Sequence, residues 1–146
     1  MKVCIVCDVL GAKNNGTTMA ATNLIDYLTE QGHQVRVVCC DKDKKGKENY
    51  YVTPTLNLGK FCNKILAENG VSLAKTDDKV LTEAIKGADV VHLLIPFGLA
   101  RKAIKIANIY NLPITASFHC QAENITAHVF LMNASFVNKL IYKNFY

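Results

Sequence analysis

The sequence predicts an α/β chain built on a doubly wound parallel sheet, in one domain spanning residues 1–146. Three observations carry this. Four apolar, β-branched runs (Val3–Cys7, Val35–Cys40, Asp89–Ile95 and Pro113–Phe118) are near-continuous rather than alternating, as strands covered on both faces must be. Helical patterns fill the gaps between these runs. A glycine-bearing turn, Gly11 to Gly16, joins the first run to the first helix.

Taken in order, Thr18 to Gln31 sets Ala21, Leu24, Ile25 and Leu28 on one helical face, and Gly32 ends it. The charge run Asp41–Glu48 around Gly46 reads as a solvent loop, and Tyr51–Pro54 as a short edge strand, where proline is tolerated. Phe61 to Glu68 forms a short helix stopped by Asn69-Gly70. Asp77 or Asp78 caps a helix through Val80, Leu81, Ala84 and Ile85, closed by Gly87. Leu99 to Tyr110 carries Ala103, Ile106, Ala107 and Tyr110 on its inner side. Strands and helices alternating at this spacing make an open sheet of Rossmann type with right-handed crossovers. From Phe130 the set Phe130, Ala134, Val137, Ile141 and Phe145 repeats at helical spacing and runs into Tyr146 without a cap, as an interrupted segment would.

Composition narrows the class. Half of the 146 residues are apolar and 20% are charged, which excludes global disorder. The longest apolar stretch, Ala88 to Ala100, is broken by Asp89, His92 and Pro96 and is too short to span a bilayer. Met1 leads straight into a strand pattern with no leader-type segment, so a cytoplasmic chain is expected. The net charge of +5 is uneven: Arg101, Lys102, Lys105, Lys139 and Lys143 face Glu123 alone after residue 89. A basic second half suits phosphates or an anionic membrane surface, and equally a solvated face. No nucleic-acid partner is expected.

Among six cysteines, Cys4-x-x-Cys7 has metal or redox spacing but lies within a strand, where residues three apart face opposite sides. Adjacent Cys39 and Cys40 fail the same test. Buried, reduced thiols and no metal site are expected.

The strand, glycine turn and helix over residues 2–32 leave free N–H groups at the helix start, which with the helix dipole form an anion site. Gly11-x4-Gly16 has Walker spacing, but Thr17 stands where that loop needs lysine. The dinucleotide fingerprint lacks its glycines, although Asp41 ends the second strand where that fold keeps a ribose-binding acid. Alternatively Asn15, Gly16, Thr17 and Thr18 offer N–H groups and hydroxyls to a diphosphate, or the turn is an ordinary one with Thr17 as N-cap. His119 follows the fourth strand, with Gln121, Glu123 and Asn124 close by, where ligands bind in open α/β sheets. His92 reads as a core histidine and His33 as exposed.

Four stretches carry a resemblance: Asn14-Asn15-Gly16-Thr17-Thr18, Gly32-His33-Gln34-Val35-Arg36-Val37-Val38, Ala88-Asp89-Val90-Val91-His92 with Pro96-Phe97, and Phe118-His119-Cys120-Gln121-Ala122-Glu123-Asn124-Ile125. With them the chain resembles the amino-terminal half of a family-4 glycosyltransferase of the GT-B double-Rossmann fold, and is similar to a subgroup that glycosylates membrane lipids. The resemblance implies retaining hexosyl transfer from a nucleotide-sugar, which is substrate, with no separate cofactor. It implies that Asn15, Gly16 and Thr17 meet the donor diphosphate and that His119 faces the transferred sugar as the catalytic-centre residue. Gln121, Glu123 and Asn124 would border sugar or acceptor. Many members have Gly-Gly where this chain has Asn15-Gly16, and some have proline at the place of Ala122.

Nothing in the 146 residues corresponds to the family's second domain with its Glu-x7-Glu motif, so this chain alone is expected not to turn over substrate. A lipid acceptor would place it peripherally on the cytoplasmic membrane face. Two rivals remain open: a stand-alone nucleotide- or dinucleotide-binding domain, and a non-catalytic interaction fragment.

Overall fold

The computed structural model describes residues 1–8, 10–11, 16–68, 72–95 and 97–117. Their elements run β1 (Lys2–Val6), α1 (Gly16–Glu30), β2 (Gln34–Cys39), a 3-10 turn (Lys42–Lys44), β3 (Tyr50–Val52), α2 (Lys60–Glu68), α3 (Asp78–Ile85), β4 (Val90–Leu93), α4 (Gly98–Ile109) and β5 (Ile114–Ala116). The five strands form one parallel sheet in the order β3-β2-β1-β4-β5. β1 is central, with Val3 opposite Val35 on one side and Val90 on the other.

The period-2 alternation of side chains divides the core into two layers. On one face Cys4, Val6, Val38, Cys40 and Val91 pack with Leu81 and Ile85 of α3 and with Leu99, Ala103 and Ala107 of α4. On the other, Val3, Ile5, Cys7, Val37 and Cys39 pack with Ala21, Leu24, Ile25 and Leu28 of α1. This is the doubly wound, Rossmann-like arrangement expected. Its cysteines behave as the parity argument requires: Cys4 and Cys7 lie in opposite layers, as do Cys39 and Cys40, and all four are buried and unbridged.

Helix ends are held by specific groups. Asp77, not Asp78, caps α3, with Oδ1 accepting from the Lys79 and Val80 amides. Gly32 and Gly87 adopt the left-handed φ of +78° and +74° that ends α1 and α3. Arg36 on β2 donates from Nη1 to the carbonyls of Ala84 and Lys86, at 3.1 and 2.8 Å, closing the carboxyl end of α3. Arg36→Ala should therefore lower unfolding free energy by about 1–2 kcal/mol, read as a reduced urea midpoint at unchanged slope.

Several expectations need adjustment. β4 and β5 are shorter than their apolar runs; past β4 the run continues because Leu94 and Ile95 are buried in the core without belonging to the strand. Tyr110 is 38% exposed at the end of α4 rather than on its inner side, because the helix stops at Ile109. Thr17 is not an N-cap: α1 already begins at Gly16, and Thr17 is buried in its first turn. His33 is half-buried, near the amino terminus. Asn15, His119, Cys120, Gln121, Glu123, Asn124 and the apolar stripe from Phe130 to Phe145 lie outside the described residues.

Candidate functional site

In a sheet ordered 3-2-1-4-5, the chain leaves β1 for one face and β4 for the other, so a crevice opens between the carboxyl ends of these two strands. α1, which follows β1, covers the face of Ile5 and Cys7. α4, which follows β4, covers the face of Cys4 and Val6. Both helices therefore start at this crevice.

α1 begins at Gly16 and has no acidic residue in its first turn, so nothing there neutralises the positive end of its dipole. Gly16 is exposed, its φ is outside the left-handed region, and an added Cβ would meet nothing within 4 Å. Neither backbone strain nor packing requires glycine at this position. It stands directly ahead of Thr17 and Thr18, two buried residues of the first turn that both have interactions of their own. A helix start that carries no acid in its first turn is where a phosphate oxygen binds.

The second helix start went unrecognised in the sequence. Gly98 opens the 12-residue α4, likewise with no acidic first turn, no side-chain cap from Phe97 and open space about its Cα. The signal was there: Leu94-Ile95-Pro96-Phe97-Gly98 repeats the strand, glycine and helix grammar of residues 2–32.

β5 brings the chain back to the same rim. The Ser117 amide donates to the Leu93 carbonyl at 2.8 Å, and the carboxyl ends of β1 and β5 lie two strand spacings apart, about 10 Å. His92 is no core histidine. It is half-buried on β4, with Nδ1 2.8 Å from the Thr115 hydroxyl and Nε2 2.9 Å from the Ser117 hydroxyl. Both ring nitrogens thus hold β5 and the residue that leads toward His119.

Two acids at the rim have separate fates. Asp41 turns back on its own loop, its Oδ1 accepting the Asp43 amide at 3.1 Å to cap the 3-10 turn, which weakens the ribose-binding reading. Asp8, just past β1, is 2% exposed, and burial pushes its carboxyl up from 3.8 to about 6, against a lowering by the Ala74 amide. Burial pushes the Cys4 and Cys40 thiols up to about 12 and that of Cys39 to about 11, so none is a nucleophile at neutral pH. Among the described residues no three metal-ligating side chains cluster, and no helix is long and apolar enough to cross a membrane.

Two crystal structures of the C-terminal domain of a hydrogenase from Pyrococcus furiosus share a slight likeness with the chain. One has 17% identity and a TM-score of 0.47, covering 80% of this chain and 90% of that one. The other has 16% identity and a TM-score of 0.47, covering 80% and 91%. No curated protein sequence matches the chain significantly. The model of the family described as Glycosyltransferase Family 4, however, matches residues 14–146, from the glycine loop to the last residue. The chain belongs to glycosyltransferase family 4, and its parallel α/β unit is a glycosyltransferase domain.

Proposed function

We propose that this domain is the acceptor-binding half of a retaining glycosyltransferase that moves a hexosyl group from a nucleotide-sugar to an acceptor, a membrane lipid being the favoured class. The observation that supports it most is Gly16. In a family-4 chain, an exposed first helical residue that needs no glycine for folding stands at the switch-point crevice, where a side chain would crowd an anion held at the helix start.

The chemistry follows from that position. As the sugar departs, negative charge grows on the leaving diphosphate, and amides pre-aimed from a helix start stabilise it without reorganising. Asn15, Gly16 and Thr17 fill that role in this reading, with Gly98 at the start of α4 as a second donor of amides across the crevice. His119 stands toward the transferred sugar, and Gln121, Glu123 and Asn124 toward sugar or acceptor. A second, donor-binding domain supplies most contacts to the nucleotide, so the 146 residues alone do not catalyse transfer. Lys139 and Lys143, with the apolar stripe around them, suit an anionic membrane face on which a lipid acceptor would be met.

Amide chemical shifts test the reading directly. Titration with UDP- or GDP-sugars is expected to move the Gly16, Thr17 and Thr18 amide resonances, whereas NAD leaves them in place. Movement with NAD alone would support a dinucleotide-binding domain instead. No movement with any diphosphate would remove the anion site from α1.

A further inference from the structure

Asp8 takes no part in the chemistry proposed above, yet it is the most constrained polar group at the rim. Alternation along β1 sends it to the face of Cys4 and Val6. Its Oδ1 accepts the Ala74 amide at 2.7 Å, from a residue 66 positions away. Its Oδ2 is sealed from solvent and has no hydrogen-bond partner among the described residues.

Ala74 belongs to the returning arm of the excursion between β3 and α3. That arm pairs antiparallel with the outgoing one: the Leu56 amide donates to the Leu73 carbonyl at 2.7 Å and the Lys75 amide to the Pro54 carbonyl at 2.8 Å, around a bridge between Thr55 and Ala74. The outgoing arm is fixed to the end of β2. The Thr53 amide and hydroxyl reach the Cys39 carbonyl at 2.8 and 3.3 Å, and the Thr55 hydroxyl reaches the Cys40 carbonyl at 3.5 Å. On the returning arm, the hydrogen bond to the sheet rim among the described residues is the one Asp8 accepts.

We propose that the paired arms 54–56 and 73–75, with the helix α2 they carry, form a flap on the carboxyl rim of β1 and β2, latched by the Ala74 amide on the Asp8 carboxyl and released as that carboxyl ionises. A neutral acid tolerates a dry site with one amide donor. A carboxylate does not, because one oxygen has no donor and water is reached only by opening. The titratable neighbours on the surrounding elements are Cys4 on β1, Cys40 with Asp41 beyond β2, and exposed Lys75 on the arm itself. The Cys40 thiol donates to the Asp8 carbonyl at 3.3 Å, and burial keeps both thiols neutral, so the buried charge that changes is that of Asp8.

Burial holds the latched carboxyl near 6 against 3.8 when hydrated. The open-to-closed ratio should therefore rise on the order of 100-fold between pH 4 and pH 7, and level off above that. Hydrogen exchange of the full chain across this range, corrected for intrinsic exchange, tests it. The Leu56, Ala74 and Lys75 amides should lose protection by that factor and stay less protected at every pH than those of Cys7 and Leu94, in the adjoining β1 and β4 rim, which open only with the whole domain. Asp8→Asn retains an acceptor oxygen but cannot ionise, and should make the three amides insensitive to pH. A flat wild-type profile, arm amides protected to the same level as Cys7 and Leu94 at every pH, or an unchanged slope in Asp8→Asn overturns the latch. Should that variant not fold, the wild-type comparison alone decides.

Discussion

Gly16→Asp is expected to weaken diphosphate binding on the order of 100-fold while leaving the melting temperature unchanged or slightly higher. The two effects have opposite signs for one reason. An acid in the first turn of a helix interacts favourably with its dipole, and space for the side chain is open at this residue. The same carboxylate would stand at the positive end of α1, where the diphosphate is proposed to bind. Placed ~5 Å from a phosphate charge, at an effective dielectric of ~20, it costs about 3 kcal/mol. Gly16→Ala should have a smaller binding defect, since it adds bulk without charge. Calorimetry with a nucleotide-sugar and a thermal melt on the same samples separate the effects. Wild-type affinity in Gly16→Asp would move the anion site away from α1. A collapse of the melting temperature would show instead that the glycine is needed for folding.

Asp8 should make the protein more stable in mild acid than at neutrality, against the usual behaviour of carboxylates. Its folded-state value, about 6, lies above the ordinary 3.8, so its contribution is fully present below 3.8 and is lost as pH rises through 6. The difference amounts to about 3 kcal/mol, or roughly 10 °C in melting temperature for a domain of this size. Other carboxylates blur the raw profile, so the informative quantity is the melting temperature of Asp8→Asn minus that of wild type. That difference should grow by about this amount between pH 4 and pH 7 and then flatten. The amide nitrogen of asparagine brings its own buried donor, a constant offset of about 1–3 kcal/mol that does not change with pH. A difference curve without slope would mean that Asp8 reaches water in the folded state.

What could be read from the chain divides along physical lines. The order of elements, both layers of the core and the placement of Cys4, Cys7, Cys39 and Cys40 follow from periodicity, which each residue reports locally. Asp8 and Arg36 obey the same rule. They share parity with Cys4 and Val38, so an inward charge on β2 and another just past β1 were legible, but the groups that answer them were not. Ala74 lies 66 residues from Asp8, and the Ala84 and Lys86 carbonyls lie 48 and 50 residues from Arg36. Such pairings depend on tertiary register. His92 misleads for a related reason: within its own strand it sits among aliphatic residues, while its partners are Thr115 in the next strand and Ser117 just beyond it. Gly98 needed only the comparison of its turn with the first. His119 and its neighbours carried the sequence-level reading of the site, and they lie outside the described residues.

The central place of β1 also sets a timetable for biosynthesis. Of the five strands, the one that ends up in the middle of the sheet leaves the ribosome first, and its second neighbour, β4, is complete only at Leu93. At ~5–20 residues per second, the nascent chain holds a half-covered aliphatic ribbon for roughly 5–20 s. One flank of Val3, Ile5 and their neighbours stays unpaired throughout that interval. Slowing translation before β4 has emerged from the ribosome should therefore raise the demand for chaperones, whereas an equal pause after it has emerged should not.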